Sequence, residues 1–127
     1  MASEAHEELA RIAHAVRDLP RVRVAYLLGG TPPWVAGSGT YIEELLTIAG
    51  GDNVFHDLDI PYSGVSPEEL IARDIAVLLA PAGVDLNLPP SHPPIVRVSP
   101  QIEIPGPWMT RSATELVRAL HPEARIR

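Results

Sequence analysis

Between residues 4 and 19, Leu9, Ile12, Ala13, Val16 and Leu19 recur at the three-and-four spacing of an amphipathic helix, with Ser3 as its expected N-cap and Pro20 as its stop. The pattern then changes. "VRVAYLL" (22–28) is continuous, rich in β-branched residues and bounded by Pro20 and Gly29, which predicts a buried strand. "GGTPPWVAGSG" breaks the periodicity and predicts a long loop over 29–40. Thr40 and Glu43 form a T-x-x-E capping box. Behind it, Ile42, Leu45, Leu46 and Ala49 give the next helix its apolar face, and Gly50 and Gly51 are expected to end it in left-handed backbone.

Further on, "NVF" (53–55) is a short strand candidate and "HDLDIPYSG" reads as loop. "SPEELIAR" carries a second capping box, Ser66 to Glu69, with Pro67 at the favoured first helical position. "IAVLLA" (75–80) predicts a central strand and "PIVRV" (94–98) another, separated by a proline-rich loop over 81–94. The last helix ends near Leu120, with Ala113, Leu116, Val117 and Leu120 on one face. Its start is open between Pro107 and a later cap formed by Ser112 and Glu115.

The order α-β-α-β-α-β-β-α, with strands apolar throughout, predicts an α/β fold. We expect three α/β/α layers around a short, mostly parallel four-stranded, Rossmann-like sheet. Ligands of such sheets bind outside the carboxyl ends of the strands. Loops 29–40, 56–66, 81–93 and 99–107 would meet there.

At 127 residues the chain fits one domain, 1–127. Hydrophobic residues make up 46% and charged residues 20%, which is not the composition of a disordered chain. The formal charge of −6, with all ten basic residues arginine and scattered, argues against nucleic acid as a partner. Without cysteine there is no thiolate chemistry and no Cys-type zinc site. No apolar run approaches the roughly 20 residues of a membrane span. "MASEAHEELARIAHAV" lacks the basic start and apolar stretch of a signal peptide.

The chemistry narrows by elimination. Gly29, Gly30, Gly37 and Gly39 do not spell G-x-G-x-x-G, and no G-K-[ST] follows, so a phosphate cradle is not indicated. His56, Asp57 and Asp59 cluster, with His92 on another edge loop. Three converging ligands are needed, however, and only one pair is local, so no metal site is expected. His6, His14 and His121 read as surface residues. Ser38, Ser63, Ser66 and Ser91 have no evident His–acid partners, and no G-x-S-x-G occurs, so no enzyme activity is expected. The aromatics remain. Trp34, Tyr62 and Trp108 are three of six aromatic residues, and all fall on the expected ligand edge, where such side chains serve as anchors.

"PPWVAGSGTY", "AGGDNVF", "VSPEEL", "ARDIAVLL" and "IPGPWMTRSATELVRALHPE", in this order over about residues 20–123, resemble the C-terminal lobe of the type III periplasmic binding proteins. These are helical-backbone receptors that deliver cobalamin, haem, ferric siderophores or metal to ABC importers. The resemblance implies that Trp34 faces the ligand cleft, that Tyr62 and segment 99–104 (Gln101 within it) line it, and that Glu68 docks on arginines of the permease. Glu68 is equally explained as a carboxylate at a helix N-terminus. Helix 1–20 resembles the end of the interlobe backbone helix, and 21–127 the lobe. The N-terminal lobe is missing, 81–93 is compressed where the family has a helix, and Trp108 stands where the family commonly has arginine.

The expectation is a binding module for a bulky metal chelate, with no cofactor of its own and no insertion into a membrane. It would be a receptor lobe partnered by an ABC permease, extracytoplasmic if it is a fragment. Alternatively it is a free-standing cytoplasmic protein, a homodimer whose facing edges rebuild a cleft. The cytoplasmic reading follows if the chain is native at full length, because no signal peptide is present.

Overall fold

The structure, a computed structural model, describes residues 2–30, 33–58, 60–84, 86, 88, 90–104 and 109–122, with side chains from residue 7 onward. Helix α1 (Ala2–Val16) leads to β1 (Val22–Gly29), β2 (Trp34–Ala36), α2 (Tyr41–Ile48) and β3 (Gly51–Asn53). Then come β4 (Tyr62–Gly64), α3 (Pro67–Ala72), β5 (Val77–Pro81), β6 (Ile95–Val98), a 3-10 turn (Pro100–Glu103) and α4 (Met109–Leu120).

Four strands form the expected parallel sheet in the order β3-β1-β5-β6. Alternation along β1 divides the core in two. Val24 and Tyr26 face a layer built from α1, α2 and α4, with Ile12, Leu45, Leu46 and Leu116 buried there. Ala25 and Leu27 face the opposite layer, where Phe55, Val65 and Leu70 of the α3 side pack. These are the three α/β/α layers, since a sheet apolar on both faces requires cover on both.

Two expected loops contain strands. Segment 29–40 holds β2 and segment 56–64 holds β4, and the pair extends the sheet as an antiparallel ribbon at the carboxyl half of β1. Gly29 and Gly30 turn the chain back with φ of 114° and 101°, backbone that L side chains rarely adopt. Val35 is then free to pair with Leu27.

Several boundaries also move. Ser3 lies inside α1 and is not its cap, and the regular helix stops at Val16, with Leu19 N–H bonded to the Val16 carbonyl. Gly50 (φ 88°) ends α2 as expected, but Gly51 opens β3 instead of capping. A Cβ on Gly51 would lie 3.0 Å from Leu120 and Val24. Strand β3 is therefore Gly51–Asn53, not 53–55, because the Asn53 side chain accepts the Phe55 N–H and bends the chain away. Strand β5 runs to Pro81. Helix α4 has already begun at Met109, so Ser112 is an interior residue, while Pro107 lies outside the described residues. His121 is not on the surface: it is 4% exposed, with Nε2 3.1 Å from the Gly50 carbonyl oxygen. Among the described residues no helix is long and apolar enough to cross a membrane.

Leu46 is fully buried where α2 meets the sheet, while Ile71 is 38% exposed on α3. Leu46→Ala is expected to cost about 2–5 kcal/mol of unfolding free energy. Ile71→Ala should cost no more than about 0.5 kcal/mol. Urea denaturation of the two variants checks this contrast.

Candidate functional site

Because β3, β1, β5 and β6 run parallel, their carboxyl ends share one edge, and the connections diverge there between β1 and β5. That switch point is filled. Val84, from the loop after β5, packs so closely on Gly29 that a Cβ there would lie 2.5 Å from its Cγ1. The Arg97 guanidinium fixes the same loop by donating to the carbonyls of Pro81 (3.0 Å) and Val84 (2.6 Å). Open apolar surface lies beside this point, on the β2–β4 ribbon.

In the ribbon Trp34 pairs with Gly64, Val35 with Ser63 and Ala36 with Tyr62. Opposed residues of an antiparallel pair share a face, so Trp34 and Tyr62 lie diagonally on one side. Val35, on the other side, is fully buried. Trp34 is 46% exposed and Tyr62 41%. Both aromatics were expected in loops. They stand instead on strands, on a backbone whose hydrogen bonds fix their spacing. Ile60 and Ile104, more than half exposed, add apolar surface beside Tyr62 and after the 3-10 turn. The amphipathic-pattern reading missed both, since each is a lone apolar residue beside proline.

Gln101 is exposed on the 3-10 turn. Its neighbour Glu103 accepts a 2.9 Å hydrogen bond from the hydroxyl of the fully buried Tyr26. Burial raises the Tyr26 phenol far above its ordinary value of about 10, and the bond to Glu103 adds to this. Glu68 is exposed in the first turn of α3, after the Ser66 cap, whose Oγ accepts the Glu69 N–H (3.2 Å). Trp108 lies outside the described residues, as does Asp59.

Below the ribbon, Glu43 joins three segments. Its backbone N–H donates to Thr40 Oγ1 (3.0 Å), completing the predicted cap, while its Oε2 accepts the Gly39 N–H (3.2 Å). Oε1 accepts from Asn53 Nδ2 (3.2 Å) and lies 2.8 Å from His56 Nδ1. Asn53 Nδ2 also donates to the Ala36 carbonyl at 3.0 Å. The hydrogen bond and charge of Glu43 raise the His56 pKa above the usual imidazole range, and Asp52 and Asp57 act in the same sense. Asp57 itself is lowered by its hydrogen bond from Arg73, whose guanidinium stacks 4.5 Å from the Phe55 ring centroid. The His56–Asp57 motif is thus divided between two carboxylate partnerships. Among the described residues no group of three or more His, Asp or Glu side chains is placed to hold a metal ion. Ser38 and Ser63 donate to the backbone carbonyls of Leu58 and Gly64, and Ser66 caps α3.

No family model matches the chain. The chain is 28% identical over 99 residues to the vitamin B12-binding protein of Salmonella choleraesuis, covering 76% of this chain and 37% of that protein. It superposes on the periplasmic heme-binding protein RhuT from Roseiflexus sp. RS-1, in apo form, with a TM-score of 0.78. That match has 26% identity over 98% of this chain and 55% of that one. An ABC transporter substrate-binding protein from Listeria monocytogenes gives a TM-score of 0.82 at 15% identity, covering 95% and 55%. The chain spans 37% of its B12-binding relative and 55% of these two structures. In sequence and fold it resembles one lobe of the type III periplasmic binding proteins.

Two tests of this geometry follow from its polar contacts. Asn53→Ala removes three buried or part-buried hydrogen bonds, and unfolding should become about 1–3 kcal/mol easier, with faster amide exchange at Phe55. The Tyr26 phenol should stay protonated in the folded state, whereas the unfolded phenol ionises near its ordinary value. Stability should therefore fall as pH rises through about 10, and Tyr26→Phe should flatten that fall in alkaline denaturation curves.

Proposed function

We propose that the chain is a receptor-type binding lobe whose β2–β4 ribbon offers an aromatic platform to a bulky, flat metal chelate of the corrinoid or haem class. One observation carries the reading: Trp34 and Tyr62 share one face of the ribbon, each close to half exposed, beside the carboxyl ends of the parallel strands. A tetrapyrrole-like ring presents a broad apolar surface, and aromatic side chains bury much area against it at small entropic cost. The names of the relatives, B12-binding and heme-binding, agree in this ligand class.

In this reading Trp34 and Tyr62 bind by stacking, Gln101 and Trp108 border the ligand, and no step of covalent chemistry is involved. Glu68 would be the contact to an importer permease, supported by its exposure at the start of α3. An extracytoplasmic location belongs to the same reading, as does the approach of a second lobe over the platform. A homodimer with two edges facing each other would use the same exposed Trp34, Ile60, Tyr62 and Ile104. Their presence on one edge favours it as the second reading.

Amide chemical-shift mapping with cyanocobalamin and with haemin tests the ligand, and light scattering of the same samples reads mass. Shifts confined to β2, β4 and residues 99–104 are expected, weakened at least tenfold in Trp34→Ala and Tyr62→Ala, as for aromatic anchors. Shifts elsewhere, or none at saturating ligand, would overturn the platform. A doubled mass with the ribbon shifts already present before ligand would select the homodimer.

A further inference from the structure

Besides the hydrogen bond from Ser38 Oγ to the Leu58 carbonyl (3.4 Å), the segment that carries Tyr62 is attached to the turn behind Trp34 at two further points. One is permanent: the Gly37 N–H donates to the Pro61 carbonyl at 2.6 Å. The other depends on a proton. His56 opens the segment, and its Nδ1 lies 2.8 Å from Oε1 of Glu43, whose Oε2 holds the Gly39 N–H in the same turn. Glu43 is only 13% exposed, whereas His56 is 74% exposed and so free to exchange protons with solvent. The carboxylate is already engaged by the Gly39 N–H and by Asn53, so it is held in place while the imidazole gains or loses charge.

We propose that the His56–Glu43 contact is a proton-operated tie that positions the aromatic ribbon, firm when His56 is protonated and loosened when it is neutral. His56 and Glu43 are positioning residues here, acting on Trp34 and Tyr62 through the 37–40 turn and the 56–61 segment. The charges facing His56 favour the cation on balance. Glu43 of α2 and Asp52 of β3 are acidic, and so is Asp57 of its own segment, which Arg73, the C-cap of α3, partly neutralises. Arg21 also lines the cleft of about 220 Å³ that His56 borders, with its guanidinium donating to the carbonyls of Thr47 and Gly51. The direction is therefore fixed. The folded state raises the His56 pKa, so the stabilisation is fully present below the ordinary imidazole value and fades as pH rises through the raised one.

The proposal rests on the preceding reading only in taking the ribbon as the ligand face, so its test omits the ligand. Backbone amide shifts of Gly39, Trp34 and Tyr62 are followed by NMR from about pH 5 to about pH 9, the range that spans histidine titration. All three should move together with the His56 ring, with one midpoint above the ordinary imidazole value. That movement should vanish in His56→Gln, should be lost at Trp34 and Tyr62 in Glu43→Gln, and should persist in His14→Gln. A His56 titration confined to residues 55–57, with Trp34 and Tyr62 unmoved, would overturn the tie. So would movement of the ribbon that survives His56→Gln. Failure to bind cyanocobalamin or haemin would count against the platform and leave this result standing.

Discussion

Strand β1 gives its backbone to three partners, and the point where one of its edges passes from β3 to β2 decides where the aromatic ribbon stands. The first half of that edge pairs with β3 in parallel, from Val22 to Val24. The second half pairs with β2 in antiparallel register, ending at Gly29 opposite Trp34. Both handovers have identifiable causes. Asn53 accepts the Phe55 N–H and turns the chain off β3, while Gly29 and Gly30 reverse it into β2. Had β3 run two residues further, β2 would have had no free carbonyls to meet, because a buried strand edge accepts one partner at a time.

Among the described residues, the side chains of Glu43, Asp57 and Glu103 are engaged within the chain, while large apolar side chains near them stand open to solvent. Glu43 is met by Gly39, Asn53 and His56, Glu103 by Tyr26, and Asp57 by Arg73. Trp34, Ile60, Tyr62 and Ile104 meanwhile remain exposed. A scattered exposed hydrophobe is ordinary, but several on one rim, bordered by satisfied polar groups, mark an interaction surface.

The helices and the parallel strands were legible because each rests on local rules. The two capping boxes put Thr40 and Ser66 where the structure has them as N-caps, and the apolar faces of α2 and α4 are the buried ones. The ribbon was not legible. Three-residue strands carry too few side chains to show alternation, and their pairing depends on partners far apart in the chain. Histidine was the other blind spot. Nothing near His121 signals burial, since its partner is the Gly50 carbonyl, brought to it only when α4 packs over the end of α2. Glu43 was recognised as a capping residue, but its meeting with Asn53 and His56 needs β3 in place. Of the residues the resemblance marked, Trp34 and Tyr62 come to lie on one face, Gln101 and Glu68 stand exposed on separate elements, and Trp108 is outside the described residues.

An aromatic platform and a polar pocket discriminate differently. Apolar stacking rewards area and tolerates changes around a ring, whereas unmet hydrogen-bonding groups reject ligands that cannot complete them. Here the carboxylates of Glu43, Asp57 and Glu103 are already paired within the chain, and the arginine of the neighbouring edge, Arg97, donates to the carbonyls of Pro81 and Val84. Such an edge is suited to holding a broad ring, and poorly suited to reading the groups on its rim. On the proposed reading, ligand identity would then be decided by whatever surface closes over the platform, and this lobe would contribute grip. The His56–Glu43 tie fits that division of labour, because a device that stiffens the platform changes how firmly any flat ligand is held without changing which one is preferred.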